Sequence, residues 1–385
     1  MSEIKEGGKK MIDKLVKIKE TLNKKYFERD EEIEGILVAL LARQHVLLIG
    51  EPGTGKSLLA SELAKIINGC NYFQWLLTKY TTPEELFGAL SLKELEQGVH
   101  KRNTSGKLPE AHFVFLDEIF KSNSAILNSL LTLINERLFY NNGTPIKSPL
   151  ISLIGASNEY PEEDEGLEAL FDRLLLRYEV KPVRQRDNFI AMLKGEGENE
   201  DIPSLTLNEL HEMQFFADLV TVPDEIYEGI ADLYKELADE GIRPSARRMK
   251  NSISVLKAKS FLDGRNVVKQ EDFSILKNIL WNNVEEKEIA AEIIEKYAKN
   301  EAERILEMVK NEADEIVKNY IQKNDGTYDE LQETLKKLKT LQVELDRLKD
   351  KYPSKTEKIQ ELYEDIEKGI TRVSKTILLP IGDDE

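Results

Sequence analysis

The sequence predicts an α/β core built on a parallel sheet, followed by an all-α lid and then by a three-helix bundle. Short apolar runs of buried-strand type alternate with helical patterns up to Pro182, and such alternation indicates a parallel sheet covered by helices. After Pro182 the pattern becomes mostly helical. Beyond Trp281 the charge density rises and glycine nearly disappears. The predicted domains are residues 1–182, 183–282 and 283–385.

Two amphipathic helices are predicted at the start of the first domain, over residues 9–27 and 30–43, because apolar residues recur in both at helical spacing. The second helix leads into the mostly apolar run 44–49, which has the length of a buried strand. A further helix is predicted over residues 58–67. The segment between this strand and this helix is therefore a loop at one edge of the sheet.

That loop carries the motif on which the functional prediction depends. Its sequence, GEPGTGKS over residues 50–57, fits G-x-x-x-x-G-K-[ST], the phosphate-binding P-loop. A glycine-rich turn lets backbone N–H groups wrap a phosphate, and the helix N-terminus adds partial positive charge. A glycine-rich turn that merely caps a helix is the simpler alternative, but the strand before the loop and the helix after it favour a P-loop. The predicted ATP-binding residues here are Gly50, Glu51, Pro52, Gly53, Thr54, Gly55, Lys56, Ser57 and Leu58.

The next predicted strand ends in two acids, as a Walker B strand does. Residues 112–118 read HFVFLDE. Asp117 suits a role in holding Mg²⁺ together with the Ser57 hydroxyl. Glu118 is placed to polarise an attacking water as a general base. A strand that runs into an acidic helix cap would look the same, but the P-loop upstream favours the catalytic interpretation.

A third buried strand, over residues 149–157, is followed by Asn158. If this strand lies beside the Walker B strand, the Asn158 amide reaches the γ-phosphate and orients the attacking water without adding charge. An asparagine at a strand end also commonly makes a turn. The two preceding motifs favour the functional role.

Arginines in two places are candidates for contacting phosphate. Arg173 and Arg177 follow an apolar stripe, and a guanidinium there can neutralise charge on the transferred phosphoryl group, including that of a neighbouring subunit. We prefer Arg173 and leave Arg177 open; either could instead form a surface ion pair, for example with Asp172. Arg247 lies in the first turn of a later helix and could reach a nucleotide at the domain junction, unless that turn is only a solvated basic surface.

The net charge and the cysteine count indicate which partners and which cellular setting to expect. The chain has 385 residues, a net charge of −17 and a pI near 5.0, so polyphosphate and anionic lipid would repel it. Nucleic acid is therefore an unfavoured partner. The single cysteine, Cys70, excludes an intrachain disulfide and favours a reducing setting. Because neither a signal peptide nor a membrane-spanning run is recognisable, we expect a cytoplasmic protein without membrane insertion.

The last domain is predicted to contain three long, highly charged helices, over residues 284–323, 328–352 and 355–378. Leucines in the second helix recur at alternating three- and four-residue steps, a heptad seam that requires a partner helix. Turn residues at 324–326 and 353–354 separate the helices. Such short turns favour an antiparallel three-helix bundle, with an intermolecular coiled coil as the alternative.

The order of these motifs resembles that of the AAA+ ATPases. A P-loop, an Asp-Glu Walker B pair, an asparagine after a third strand and a later arginine are followed by a helical region with another arginine. The similarity to one branch, the MoxR family and its RavA subgroup, spans about residues 20–284. The stretches that carry it are YTTPEELFG (80–88), LPEA (108–111), FLDEI (115–119), LINER (133–137), ASNE (156–159), LEALFDR (167–173) and SARR (245–248).

The resemblance implies roles that spacing alone does not. Arg173 would be the arginine finger, Asn158 the sensor-1 residue and Arg247 the sensor-2 residue. Residues 89–107 would be an insert and residues 138–148 a hairpin, both at the face or pore where a client is handled. RavA-like ATPases resemble chaperone-type remodellers that form hexameric rings and work with a partner bearing a von Willebrand factor A domain.

The leading hypothesis is therefore a Mg²⁺-dependent ATPase that remodels an unidentified protein client. A nucleotide-gated binding module with slow hydrolysis is one alternative, and a DNA helicase or loader, which the acidity disfavours, is another. The N-K-x-D motif of GTPases and the signature of ABC ATPases are not found. The β-rich insertion through which the best-known RavA members bind a lysine decarboxylase is also missing, so decarboxylase binding is not expected.

Overall fold

The structure, a computed structural model, divides into two compact units, Met1–Glu295 and Lys296–Glu385. It describes residues 2–161, 166–197, 201–299, 301–322, 328–352 and 356–378. The turns predicted at 324–326 and 353–354 lie outside these ranges. Among the helices in the described ranges, none combines the length and the apolar character needed to cross a membrane.

The first unit contains short strands, most of them in one parallel sheet. In chain order they are β1 (Val46–Ile49), β2 (Ile67–Asn68), β3 (Tyr72–Leu76), β4 (Phe113–Asp117), β5 (Leu138–Asn141), β6 (Thr144–Lys147), β7 (Ser152–Ser157), β8 (Leu176–Glu179) and β9 (Leu205–Thr206). Among the described residues the main sheet has the order β3-β4-β7-β1-β8, and all its pairs are parallel. Every β1 residue is buried, as an inner strand covered on both faces requires. The predicted parallel-sheet core is confirmed.

Parallel pairing brings the ends of three neighbouring strands to one side of the sheet. The P-loop follows β1, Glu118 follows β4 and Asn158 follows β7. We call this side the carboxyl edge. The opposite side, where β1 begins after His45, is the amino edge.

Helices cover the sheet and form the region that follows it. Those that begin in the first unit are α1 (Ser2–Lys25), α2 (Asp30–Ala42), α3 (Lys56–Ile66), α4 (Pro83–Phe87), α5 (Leu92–Leu95), α6 (Ser124–Glu136), α7 (Glu168–Arg173), α8 (Arg186–Leu193), α9 (Leu207–Asp218), α10 (Asp224–Asp239), α11 (Ala246–Leu262) and α12 (Glu286–Ala298). Side-chain caps fix several helix starts: Thr82 with Glu85 caps α4, and Thr206 with Glu209 caps α9. Ser245 caps α11, as its hydroxyl accepts a hydrogen bond from the Arg248 N–H at 3.2 Å.

The helical region packs on α2. Gln214 of α9 donates to the Leu40 carbonyl oxygen at 2.8 Å, and Lys259 of α11 pairs with Glu34 at 2.9 Å. These contacts hold α9 and α11 against the layer that covers β1. The predicted all-α lid after the sheet is confirmed.

The second unit consists of α13 (Glu301–Gln322), α14 (Tyr328–Lys351) and α15 (Thr356–Leu378), which pack together. The heptad leucines of α14 are buried inside this unit. Its core contains Leu306, Val309, Ala313, Leu338, Leu341, Leu345, Leu348, Ile359, Leu362 and Ile366. The single helix predicted over 284–323 is wrong, since α12 and α13 are separate. The sequence KNEAER over 299–304 has no large apolar residue that could continue a packed face.

The contact between α2 and β8 gives a test of packing. A Cβ added at Gly35 would lie 2.0 Å from the Tyr178 hydroxyl oxygen, inside the core. Gly35→Ala should lower the free energy of unfolding by about 1–3 kcal/mol, because a buried ring must move in a filled interior. Gly8→Ala in α1 is the control, since nothing lies within 4 Å of the added Cβ. Chemical denaturation measures both, and equal stability of the two variants would contradict the close packing at Gly35.

Candidate nucleotide-binding site

The turn between β1 and α3 requires glycine at two positions. Gly53 and Gly55 have φ angles of 83° and 86°, in the left-handed region that residues with side chains rarely adopt. α3 begins directly afterwards at Lys56, so its unpaired N–H groups and its positive end face the turn. A phosphate group is the ligand that such a turn binds.

The Lys56 side chain is held at the carboxyl edge and is buried. Its Nζ donates to the Glu51 carbonyl oxygen at 3.0 Å and to Asn158 Oδ1 at 3.1 Å. Burial lowers the pKa of Lys56, while the carboxylates of Asp117 and Glu118 act in the opposite direction. The ammonium charge is thus fixed at the mouth of the P-loop, where a polyphosphate would need it.

Asn158 joins this lysine to the predicted general base. Its Oδ1 accepts from Lys56, and its Nδ2 donates to Glu118 Oε1. Glu118 also pairs with Lys121 at 3.2 Å and has a left-handed backbone, with φ of 53°. A non-glycine residue in this region costs about 1–3 kcal/mol, and such strain is concentrated at functional sites. The structure therefore brings three of the predicted site residues into one hydrogen-bonded chain.

Asp117 and Ser57 supply oxygen donors suited to Mg²⁺. Asp117 ends β4, and its Oδ1 accepts from the Glu118 N–H at 3.0 Å. Ser57 lies in the first turn of α3 and is partly exposed. A carboxylate and a hydroxyl are ligands that Mg²⁺ takes in company with phosphate oxygens and water. The donor set fits the predicted metal.

A cavity of about 560 Å³ opens next to the P-loop, between β8 and the helical region. Arg29 lines it and donates to the Thr54 carbonyl oxygen at 3.2 Å and to that of Lys181 at 2.7 Å. Glu28, also in the lining, accepts from the Arg184 N–H at 2.8 Å. The volume is typical of small-molecule pockets.

Arg173 and Arg247 lie together at the amino edge, away from the P-loop. With Arg43, His45 and Arg137 they line a cavity of about 320 Å³ whose described lining contains four arginines and no carboxylate. Burial and the nearby Arg247 lower the pKa of Arg173. Such a concentration of positive charge favours an anion that comes from outside the chain.

Asp172 explains why Arg247 lies at this edge. Its Oδ1 accepts from Ser245 Oγ at 2.9 Å and from Arg248 Nη2 at 3.0 Å, so the start of α11 is tied to the end of α7. Asp172 Oδ2 lies 3.8 Å from Arg247 Nη1. Arg247 thus lies at the amino edge, and its predicted contact with a nucleotide stays a prediction.

Arg177, the alternative finger, is buried and only 1% exposed. Its guanidinium lies 3.9 Å from the Phe171 ring centroid and 4.8 Å from that of Trp281. It donates to the Trp281 carbonyl oxygen at 2.6 Å, and Arg248 donates to the same oxygen at 2.6 Å. A side chain enclosed in this way cannot reach a second molecule, so Arg173 is the accessible arginine of the pair.

Comparison with known proteins identifies the family. A model of the MoxR domain in MoxR-vWA-beta-propeller ternary systems matches residues 13–217, and a model of an AAA lid domain matches residues 225–294. The chain belongs to the MoxR family of AAA+ ATPases. The lid match falls in the helical region that follows the sheet.

Relatives of this MoxR-family chain include an uncharacterized protein of Methanocaldococcus jannaschii, 39% identical over 347 residues, which cover 88% of this chain and 90% of the relative. The chaperone MoxR1 of Mycobacterium tuberculosis is 29% identical over 171 residues, 43% of this chain and 44% of that protein. The crystal structure of a candidate ATPase from Cytophaga hutchinsonii matches with a TM-score of 0.62 at 20% identity, covering 77% of this chain and 96% of that chain. This last likeness supports the AAA+ fold.

The sequence did not reveal two parts of this MoxR site. Lys121 contacts Glu118 because residues Ile119–Lys121 form a 3-10 turn, and the spacing of three residues was the available signal. Arg29 reaches the P-loop from the start of α2, and no motif marks it. Its role depends on how α2 lies against the sheet.

Within the candidate site, the first test concerns the P-loop lysine. Lys56→Met should weaken Mg²⁺-ATP binding by at least about tenfold, because a charge-assisted hydrogen bond contributes roughly 1.5–3 kcal/mol. Lys65→Met is the matched control, since this lysine lies on the same helix with its side chain 71% exposed. Calorimetry measures both affinities. An unchanged affinity of Lys56→Met would remove this lysine from phosphate binding.

Proposed function

We propose that this MoxR-family protein is a Mg²⁺-dependent ATPase that converts ATP and water to ADP and phosphate and uses the cycle to remodel or mature a protein client. The observation that carries the proposal is the Asn158 side chain, which joins the Lys56 ammonium to the Glu118 carboxylate. Hydrolysis requires both a held polyphosphate and a positioned water. A phosphate-binding turn beside an amide-held carboxylate supplies both.

In the proposed reaction, the P-loop N–H groups and Lys56 hold the β- and γ-phosphates. Asn158 orients the attacking water, and Glu118 accepts its proton. Mg²⁺, held by Ser57 and Asp117, would neutralise phosphate charge when bound. These side chains already lie at the carboxyl edge, so the proposed chemistry needs no rearrangement of the sheet.

The proposal includes a ring of copies, with the hexamer taken from the family resemblance. Arg173 lies at the amino edge, and a four-residue strand such as β1 separates the two edges by roughly 13 Å. Arg173 therefore does not complete the site of its own chain. If the amino edge of one copy faces the carboxyl edge of the next, Arg173 and Arg247 meet a neighbour's phosphates, and such a head-to-tail contact generates rings.

The insert at 89–107 and the hairpin of β5 and β6 are proposed as the surface that handles the client. Asn141 of the hairpin accepts from the Arg102 N–H at 2.7 Å and donates to the Arg102 carbonyl oxygen at 3.0 Å, so the two segments form one surface. Exposed apolar groups on such a support suit contact with another protein chain. The large apolar side chains exposed on it include Leu92, Tyr140 and Ile146.

A partner with a von Willebrand factor A domain is proposed because the matching family model describes MoxR-vWA-beta-propeller systems. The relative named chaperone MoxR1 supports a chaperone-like task. Membership of the RavA subgroup is proposed on the sequence resemblance, for example in residues 80–88 and 167–173. A cytoplasmic setting is proposed on the single cysteine, Cys70, which is free.

The second test separates an ATPase from a slow nucleotide-gated module. Glu118→Gln should keep Mg²⁺-ATP affinity and lower turnover by about 10²–10⁴-fold, because the general base is lost while the phosphate contacts remain. Steady-state phosphate release and calorimetry measure the two quantities. Wild-type turnover in this variant would remove Glu118 from the base role. Negligible turnover of the wild type, with and without a partner, would favour the binding module.

The third test concerns the arginine finger. Arg173→Ala should bind ATP and lose most hydrolysis, and mixing it with Lys56→Met should restore part of the activity, since mixed rings contain intact composite sites. Arg177→Ala is the contrast: removal of this buried side chain should lower unfolding free energy by at least about 2 kcal/mol. Normal turnover of Arg173→Ala alone would contradict the finger assignment.

A further inference from the structure

The short helix α8 exposes an apolar face. Phe189, Met192 and Leu193 follow helical spacing, so they share one side of α8, and they are 45%, 42% and 69% exposed. None of the α8 residues is buried. Within the described part of the chain, then, this face has no cover. We call these three residues the α8 face.

The start of α8 is tied to the segment that reaches the P-loop. The Glu28 carboxylate accepts hydrogen bonds from the N–H groups of Arg184 and Gln185 at 2.8 and 2.9 Å and from Asn188 Nδ2 at 3.1 Å, which fixes the start of α8. The next residue, Arg29, donates to the Thr54 carbonyl oxygen in the P-loop. The α8 face therefore belongs to a short helix whose start is anchored one residue away from a P-loop contact.

A second apolar pair lies beside the arginine cavity. Phe215 of α9 and Leu219, which directly follows α9, are four residues apart on one side of the helix end and are 58% and 61% exposed. Between them, Asp218 pairs with Arg43 at 3.0 Å. Arg43 lines the amino-edge cavity together with Arg173. We call Phe215 and Leu219 the α9 face.

Charge indicates that these two faces belong to one contact. The amino-edge cavity presents four arginines in its described lining. Asp218 pairs with Arg43 and Asp172 lies 3.8 Å from Arg247, so positive charge remains in excess there. Its natural counter-charge is a triphosphate, and the P-loop is where this chain would hold one. If the arginines of one copy approach the phosphates of the next, the α9 face and the α8 face approach each other at the margin of the same contact.

We propose that the α8 face of one subunit packs against the α9 face of the next subunit. This inference rests on the proposed ring and names the surface that closes it. Screened charges alone give weak contacts, whereas a buried apolar cluster beside a polar site is the usual anatomy of a specific interface. The two faces differ from each other, so the contact is head-to-tail. A pair of subunits therefore still has one free α8 face and one free α9 face, to which further copies can bind.

The test uses full-length chains with one charge introduced on each face. Leu193→Lys and Leu219→Glu each place a charge in the proposed apolar contact. Each should raise the concentration at half-assembly by at least about tenfold, as loss of an interface anchor does. Sedimentation velocity with Mg²⁺ and a non-hydrolysable ATP analogue measures this concentration. Thermal melting should show unchanged folding, because both leucines are exposed.

The double variant tests the pairing itself. In a ring of Leu193→Lys/Leu219→Glu chains, the introduced ammonium of one subunit lies opposite the introduced carboxylate of the next, so assembly should recover toward the wild-type concentration. Met308→Glu is the control, since this exposed apolar residue, 70% accessible, lies in the other unit. It should assemble as the wild type does.

The outcomes separate the inference from the function on which it rests. A wild-type ring with unimpaired assembly of both single variants would overturn the α8–α9 contact and leave the ring intact. A double variant that assembles no better than the single variants would overturn the pairing of these two faces. A wild type that stays monomeric while it hydrolyses ATP would instead overturn the ring in the proposed function, and the contact with it.

Discussion

The bridge from Lys56 through Asn158 to Glu118 is the interaction on which the core depends, and it follows from strand order. Because β7 lies between β1 and β4, the strand that Asn158 directly follows separates the P-loop from Glu118. Strands are spaced about 4.8 Å apart, so Lys56 and Glu118 belong to strand ends roughly 10 Å apart. An amide on the middle strand can contact both, since it both donates and accepts. A carboxylate or an ammonium at Asn158 could not satisfy both neighbours.

Strand direction divides the remaining charges between two places. The lysine and the carboxylates lie where parallel strands end, whereas Arg173 precedes β8 and therefore lies where strands begin. One chain thus carries its P-loop lysine and carboxylates on one edge of the sheet and its accessible arginines on the other. Asp172 adds Arg247 to the charges at the amino edge, because its hydrogen bonds hold the start of α11 there. The separation supports the interpretation that the active species is an assembly.

The sequence was sufficient to predict the positions of residues that come directly after a strand. The P-loop, Glu118 and Asn158 each come directly after a strand, so predicting the parallel strands was enough to bring them together. The position of Arg247 could not be predicted, because it depends on how a later helix docks, and the contact with Asp172 joins residues far apart in sequence. The contact of Arg29 with the P-loop was not predicted for the same reason, since it depends on how α2 packs. Contacts between helices far apart in sequence produce no periodicity or motif from which they could be predicted.

The buried pair Arg177 and Arg248 shows how the docking of the helical region is specified. Both guanidiniums donate to the Trp281 carbonyl oxygen, and Arg248 also forms an ion pair with Asp172. Burial lowers the pKa of both arginines, so charge in this place opposes stability. An apolar cluster would fill the same space, but apolar contacts have no preferred direction. Hydrogen bonds to one carbonyl oxygen do, so they can fix the orientation of a helix. We interpret the pair as setting the orientation of α11, which determines where Arg247 points.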